Sequence, residues 1–489
     1  MGESLNKIPT YAVLTARETL VAELQTVASG VSLYKLMQTA GMAVYKEITE
    51  RFVPCPTVVL CGPGNNGGDG YVVATLLEQA GWPVKVATQS FTTKMSDFAT
   101  KHRNNYQGKV VKLDAQAMEG CKLVIDGLFG TGLERALIGD YASMVEAVNA
   151  SGIDCLAIDI PSGVHTDTGA VMGVAIKAHT TVTFSYRKPG QLLLPGRIYT
   201  GNLICRSIDL TDVPSEQIHL MVNRPQLWDK FLPKPNLTDH KYSRGHLLIR
   251  GGEEMTGAGR LAAAAARRIG AGMVTIACAP SVRQIYALSA PGLITTELNE
   301  AHSFKSRLLE KSKSAVLLGP GNGITKETRQ AVLDTLDAKT PCVLDADALT
   351  VFQDDPETLF NRIMGPCILT PHAGEFKRLF ETTGDKITQT RKAVQQSGTV
   401  VLFKGPDTTI ACPDGLAIIQ DNAPATLATA GTGDVLAGFI AGLMAQGISP
   451  FNAACMATWI HGEAANTFGL GVITEDLIEA VPAVLNRLC

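Results

Sequence analysis

The residues best able to do chemistry in this chain stand beside glycine-rich segments. Gly62-Pro-Gly64-Asn65-Asn66-Gly67-Gly68-Asp69-Gly70 directly follows an apolar run at 57–60. Glycines let backbone amides approach an anion, and a helix starting there adds favourable potential. Gly62, Gly64 and Gly67 fit G-x-G-x-x-G. An ordinary dinucleotide unit also carries an acid about 20 residues later to hold a ribose, and 85–90 reads Lys-Val-Ala-Thr-Gln-Ser instead. The competing reading, a tight structural turn, calls for less polar chemistry than Asn65, Asn66 and Asp69 provide. Two more loops, Asp126-Gly-Leu-Phe-Gly130-Thr131-Gly132 and Asp159-Ile-Pro161-Ser162-Gly163, also end apolar runs. Ligands of open α/β sheets lie beyond the carboxyl ends of strands. Asn66, Asp126, Asp159 and Ser162 are therefore expected to converge in one cleft. Oxygen donors with so few charges suit a hard, weakly charged cation better than a transition metal. The competing role for Asp126 and Asp159 is helix capping.

In the second half, Ala428-Thr-Ala-Gly431-Thr432-Gly433-Asp434 precedes a helix pattern over 435–445 that is apolar nearly all round. A tight glycine turn with orphan helix-N-terminal donors suits a phosphoryl oxygen. An acid beside such a turn can take a proton from a hydroxyl during phosphoryl transfer. The alternative is that Asp434 only complements the helix dipole. Lys404-Gly405-Pro406-Asp407-Thr408-Thr409 follows an apolar run and offers a cation and hydroxyls to a nucleotide; the alternative is a surface hairpin turn. Gly319-Pro-Gly321-Asn322-Gly323, Asp345-Ala-Asp347 and Thr370-Pro-His372-Ala-Gly-Glu375 end further runs. His372 could contact a ligand, whereas His461, in Trp459-Ile-His461-Gly462, reads as core.

The elements that must position these residues alternate. A helical segment over 14–52 opens the chain. Strand candidates then fall at 57–60, 84–87, 123–125, 155–160, 181–184 and 203–208, with helices at 70–80 and 141–150. The second half repeats the alternation, with strands at 247–249, 273–277, 315–318, 342–344, 367–369 and 399–403 and helices at 259–269, 326–336 and 435–445. This pattern predicts βαβ units and mostly parallel sheets. The proline-rich stretch 213–244 reads as a semi-rigid seam, giving domains 1–222 and 223–489.

Composition narrows the class. The chain has 489 residues, 45% hydrophobic and 18% charged, with a formal net charge of -3. That permits large cores and offers no concentrated basic face for nucleic acid. Eleven cysteines without a C-x-x-C pair exclude zinc ribbons and point to a reducing, cytoplasmic compartment. The N-terminus lacks the apolar core of a signal peptide, and no run is long enough to span a membrane.

With these segments in view, the first half, over roughly 10–215, resembles the NAD(P)H-hydrate epimerases. The resemblance rests on Leu36-Met-Gln-Thr-Ala-Gly41, GPGNNGGDG, DGLFGTGL, IDIPSG and Lys188-Pro189-Gly190. It implies a Rossmann-like fold in which Asn65, Asn66, Gly67, Gly68 and Asp69 contact the hydrated nucleotide, as do Gly130, Thr131, Gly132, Leu133, Glu134, Arg135 and Ala136. It also implies potassium (K+) on Asn66, Asp126 and Ser162, and Asp159 as acid/base beside the nicotinamide ring. The second half, over roughly 238–485, is similar to the NAD(P)H-hydrate dehydratases of the ribokinase-like superfamily, an αβα sandwich. Here the segments are LGPGNG, LDADAL, LTPHAGEF, FKGPDT and AGTGDVLAGFIAGLMAQG. They imply Ala258, Gly321, His372 and the catalytic Asp434 at the hydrate. Lys404, Gly405, Pro406, Asp407, Thr408 and Gly433 would meet the adenine nucleotide, with Mg2+ and with ADP as co-substrate. Gly251-Gly252-Glu253-Glu254-Met255 departs from that family, which commonly has small or neutral residues there. The expectation is a homo-oligomeric repair enzyme for damaged nicotinamide cofactors, acting on small molecules. A ribokinase-like small-metabolite kinase with a non-catalytic nucleotide-binding first domain is the alternative.

Overall fold

The apolar runs of the first half become the strands β1 (Thr57–Cys61), β2 (Val84–Thr88), β3 (Lys109–Lys112), β4 (Leu123–Gly127), β5 (Asp154–Ile158), β6 (Thr180–Phe184) and β7 (Asn202–Arg206). They form one sheet in the order β3-β2-β1-β4-β5-β6-β7, and every pairing is parallel. This computed structural model describes residues 11–89, 96–310 and 313–488. It divides into two compact units, the first ending at Leu220 and the second beginning at Met221.

The second sheet is built from β8 (Leu220–Val222), β9 (His246–Arg250), β10 (Met273–Cys278), β11 (Ile294–Glu297), β12 (Ala315–Leu318), β13 (Cys342–Leu344), β14 (Cys367–Leu369), β15 (Val400–Phe403), β16 (Thr409–Ala411) and β17 (Ala417–Ile419). Their order is β11-β10-β9-β12-β13-β14-β15-β16-β17-β8. From β11 to β15 the strands run parallel; β15, β16 and β17 are antiparallel. Strands covered on both faces carry continuous apolar runs, and β1 and β12 are buried throughout. The helix Thr432–Ala445 is buried from Val435 to Ala445. It lies close to the alanine-rich helix Thr256–Arg268: a Cβ on Gly438 would meet the Ala262 carbonyl at 2.3 Å. Among the described residues no helix is long and apolar enough to cross a membrane.

Several expectations shift. The opening helical segment is two helices, Ala16–Ala28 and Leu33–Arg51. Gly30 sits between them at φ 103°, and Ser32 caps the second by accepting from the Lys35 amide. The helix expected from 70 starts at Asn65, with Gly64 as its N-cap, so most of the glycine-rich segment is helix rather than loop. Strands β3, β8, β11, β16 and β17 lie outside the expected set. β3 and β11 are edge strands without a buried face, and β8, β16 and β17 have three residues each. The proline-rich seam is not a free connection throughout: Trp228, 1% exposed, belongs to the core of the second unit.

Candidate active sites

In the first unit the winding of the sheet reverses between β1 and β4, and the loops beyond both strands meet there. A Cβ on Gly62 would lie 1.7 Å from the Leu128 carbonyl oxygen, so only glycine fits. Gly67 closes on the Gly62 backbone in the same way, and Gly68 lies against the Met37 side chain. These two glycines make the approach possible and do not line the cavity that opens above it.

That cavity, about 630 Å³, is walled by Asn65, Asn66, Asp69, Asp159, Glu23 and the stretch from Leu128 to Glu134, among others. Arg135 and Ala136 are exposed and lie off its wall. Asp126, at 0% exposure, is the penultimate residue of β4. Its Oδ1 accepts from the Ser162 hydroxyl at 2.6 Å and its Oδ2 from the Ser162 amide at 2.8 Å. Burial pushes the Asp126 carboxyl up to about 6, against the pull of these hydrogen bonds. Asn66 is 7% exposed, and neither polar atom of its side chain has a hydrogen-bond partner among the described residues. Buried amides seldom stay unpaired, so this one is poised for a ligand.

Asp159 follows β5 with φ at 64°, a region side-chain-bearing residues rarely adopt and one that recurs at functional sites. Its Oδ1 accepts from Lys188 Nζ at 2.5 Å and from Thr183 Oγ1 at 3.0 Å. The Lys188 side chain is 1% exposed and that of Asp159 13%. Gln191 Nε2 donates to the Asp159 carbonyl at 2.6 Å and fixes the strained turn. Glu23 and Asp69 share the cavity; burial first, and then the charge of Asp159, raise both carboxyls. Lys188 and Glu23 carry no role in the sequence reading. Lys188 stands among Ser185, Tyr186, Arg187 and Gln191, so nothing local marked it as buried. Glu23 is one acid among several on a mixed helix and gave no signal either.

In the second unit Gly431, at φ 89°, is the N-cap of the helix that carries Asp434. Burial raises the Asp434 carboxyl to about 6, with Asp345 adding and Lys404 opposing. His461 is buried, its Nε2 lies 3.1 Å from the Thr432 carbonyl, and burial lowers it to about 4; it supports the turn from the core. Lys404 donates to Asp345 Oδ1 at 2.6 Å and stands 4.0 Å from Glu375. Burial alone would lower its ammonium, yet Asp345, Glu375 and Asp434 hold it raised. A Cβ on Gly433 would lie 3.7 Å from Lys404 Nζ, so Lys404 and the glycine turn are neighbours.

Gly405, Pro406, Asp407 and Thr408 form the turn of the β15–β16 hairpin, with Asp407 and Thr408 buried. Lys386 donates to Asp407 Oδ1 at 2.7 Å and to the Lys404 carbonyl at 3.3 Å. It braces the turn from helix Lys386–Ser397 and lay outside the sequence reading. His372 caps the helix Ala373–Leu379: its Nδ1 accepts from the Gly374 amide at 2.9 Å, and its side chain is 56% exposed. Gly321 faces Ala258, whose Cβ would lie 3.3 Å from a Cβ on that glycine.

Two doubly wound α/β units, each with polar residues gathered beyond the carboxyl ends of its strands, define a two-site nucleotide-handling enzyme. The profile of the YjeF-related protein N-terminus matches residues 33–190, and that of NAD(P)H-hydrate dehydratase matches residues 246–482. The bifunctional NAD(P)H-hydrate repair enzyme Nnr of Thermofilum pendens is 36% identical over 94% of this chain and 93% of its own. The proteins of that name from Moorella thermoacetica and Escherichia coli are 34% and 33% identical, over 93% and 94% of this chain and 92% and 90% of theirs. An ADP/ATP-dependent NAD(P)H-hydrate dehydratase from Bacillus subtilis is similar at 29% identity and a TM-score of 0.49, over 55% of this chain and 98% of its own. The chain belongs to the family of bifunctional NAD(P)H-hydrate repair enzymes.

Proposed function

We propose that the unit ending at Leu220 interconverts the R and S epimers of NADH and NADPH hydrates at ring carbon 6. The unit from Met221 dehydrates the S form with ADP, releasing AMP and inorganic phosphate. The observation that carries this reading is the full-length kinship to bifunctional repair enzymes, with each unit setting one carboxylate beside a lysine, Asp159 by Lys188 and Asp434 by Lys404.

In the first unit the hydrate rests against Asn65, Asp69 and the Gly130–Glu134 wall. Asp159 takes the proton of the ring hydroxyl as the bond between carbon 6 and the ring nitrogen opens to an aldehyde, the nitrogen keeping the electron pair, and returns the proton to the oxygen when the nitrogen closes on the other face. Lys188 holds its Oδ1, which leaves Oδ2 free for that proton. The unpaired amide of Asn66, with Asp126 and Ser162, suits a cation of low charge, because only one carboxylate stands among neutral oxygens. A divalent ion gives up more hydration than such a set returns. Potassium held there would offset phosphate charge.

In the second unit Asp434 removes the proton of the carbon-6 hydroxyl while that oxygen attacks the β-phosphorus of ADP. The amides of the Gly431–Gly433 turn and Lys404 face the developing phosphoryl charge. The ester then loses inorganic phosphate, with a proton from the neighbouring ring carbon, and the dihydropyridine is restored. Gly405–Thr408 and Gly433 border the nucleotide, and Ala258, Gly321 and His372 the hydrate. No group of three or more acidic, histidine or cysteine side chains is placed to hold a metal among the described residues. Magnesium would therefore ride on the nucleotide phosphates and water, as it commonly does, and neutralise phosphoryl charge.

The test is incubation of mixed NADH hydrates with ADP in potassium buffer, reading dihydropyridine absorbance. Full recovery of both epimers, with one AMP and one phosphate per NADH, is expected. A stable phosphate ester as end product would mean a kinase. Recovery that stops at the S fraction would leave the first unit without epimerase activity.

A further inference from the structure

The sheet of the second unit reverses its winding between β9 and β12, because β10 and β11 extend it on one side and β13 onward on the other. Open α/β sheets take ligands at such a reversal, beyond the carboxyl ends. β9 ends in Arg250. A cavity of about 1490 Å³ opens there, with Arg250, Gly252, Met255, Gly321, Asn322 and Asp347 on its wall. The backbones close as in the first unit: a Cβ on Gly252 would lie 1.5 Å from the Gly321 carbonyl oxygen.

The Arg250 guanidinium is half-buried. Its Nη1 donates to Thr328 Oγ1 at 3.2 Å and to the Asn322 carbonyl at 3.4 Å, which leaves Nη2 and Nε without a hydrogen-bond partner among the described residues. Burial lowers it, and its acidic neighbours Glu327 and Glu253 act on it through space, without an ion pair. Lys305, on the same wall, is instead 3.7 Å from Asp334. A fork of unused donors on the wall of this cavity matches the paired oxygens of a carboxylate or a phosphate, and a dinucleotide hydrate carries phosphates.

The loop beside Arg250 also reaches the reacting end. The Gly323 amide donates to Asp347 Oδ2 at 2.8 Å, and Asp347 is among the charges that raise Asp434. One residue earlier, the Asn322 carbonyl touches Arg250. A substrate whose ring meets Asp434 and whose chain follows this loop carries its phosphates toward the guanidinium.

We propose that Arg250 binds the pyrophosphate of the dinucleotide hydrate in the second unit, an inference that rests on the dehydratase reading above. The test compares Arg250→Gln and Arg250→Lys with the unaltered chain, on S-NADH hydrate and S-NADPH hydrate with ADP. Loss of a charge-assisted contact raises KM for both hydrates by roughly tenfold to a hundredfold in Arg250→Gln. The kcat and the KM for ADP stay unchanged. Arg250→Lys lies between. The unchanged kcat and KM for ADP report that the second unit is folded, and epimerisation by the same preparations stays unchanged. Unchanged KM in an active Arg250→Gln protein overturns the proposal. A rise confined to NADPH hydrate overturns it too, because it moves Arg250 to the 2′-phosphate. Absence of dehydration in the unaltered chain sinks the dehydratase reading instead. NADH titrated by calorimetry then decides Arg250, with weaker binding to Arg250→Gln expected and equal binding overturning it.

Discussion

The two units use one topological device for different chemistry. Each sheet reverses beside a glycine pressed against a neighbouring carbonyl, Gly62 on Leu128 and Gly252 on Gly321. What separates them is where the charge sits. In the first unit the strand after the reversal ends in the uncharged Cys61, and acid stands on β4 and beyond β5, with Asp159 tied to a fully buried Lys188. In the second, Arg250 ends β9, and Lys404 is occupied by Asp345. Among the described residues Asp434 forms no ion pair, and burial raises its carboxyl to about 6, with Asp345 adding and Lys404 opposing. One fold can thus present a locked acid–lysine pair or a loosely held base, according to which strand ends carry lysine and acid.

The sharpest way to break the comparison is Asp434→Asn. Losing a positioned base costs ~10²–10⁴-fold in dehydration, and epimerisation should continue. A variant with near-full dehydration would remove Asp434 from the chemistry. Next comes Lys188→Met, which leaves Asp159 in a buried pocket without its partner. Stripping one member of a buried ion pair costs about 3–5 kcal/mol, read as a lower unfolding midpoint of the first unit with loss of epimerisation. An unchanged midpoint would mean that the pair is held for catalysis alone.

The shared reversal is tested by Gly62→Ala and Gly252→Ala. Each new methyl group meets a backbone carbonyl that cannot rotate away, so each should destabilise its unit by about 1–3 kcal/mol or more. Urea unfolding that finds only one of them harmful would end the parallel. The smallest effect concerns pH. Asp434 must be ionised to accept a proton, and its carboxyl is raised to about 6 by burial. Dehydratase kcat/KM should hold above that value and fall about tenfold per unit below it. A profile flat to pH 5 would show that another group takes the proton.

Residue order was enough to expose the alternation of buried strands and helices, since strands covered on both faces are unbroken apolar runs. β12, β13 and β14 fall where the runs fall. The edge strands β3 and β11 escaped because pairing on one side only leaves little apolar signature. The glycine-rich segment after β1 was legible as a motif and misread as a loop, since its role as a helix start depends on Gly62 and Gly67 packing against each other.

The sequence by itself determined the mostly parallel sheets, the segments that end their strands, and the acids Asp126, Asp159 and Asp434 beside glycine-rich stretches. These follow from local pattern: apolar periodicity, glycine and the position of acid after a strand. Only the tertiary structure decided which distant side chains share each cavity. Lys188 reaches Asp159 across 29 residues and Lys404 reaches Asp345 across 59. Glu23 and Asn66 meet on one cavity wall, and Arg250 stands at a strand reversal that exists once β9 lies between β10 and β12. Pairing of buried charges is a contest among all residues that the fold brings near, and no local pattern records its outcome.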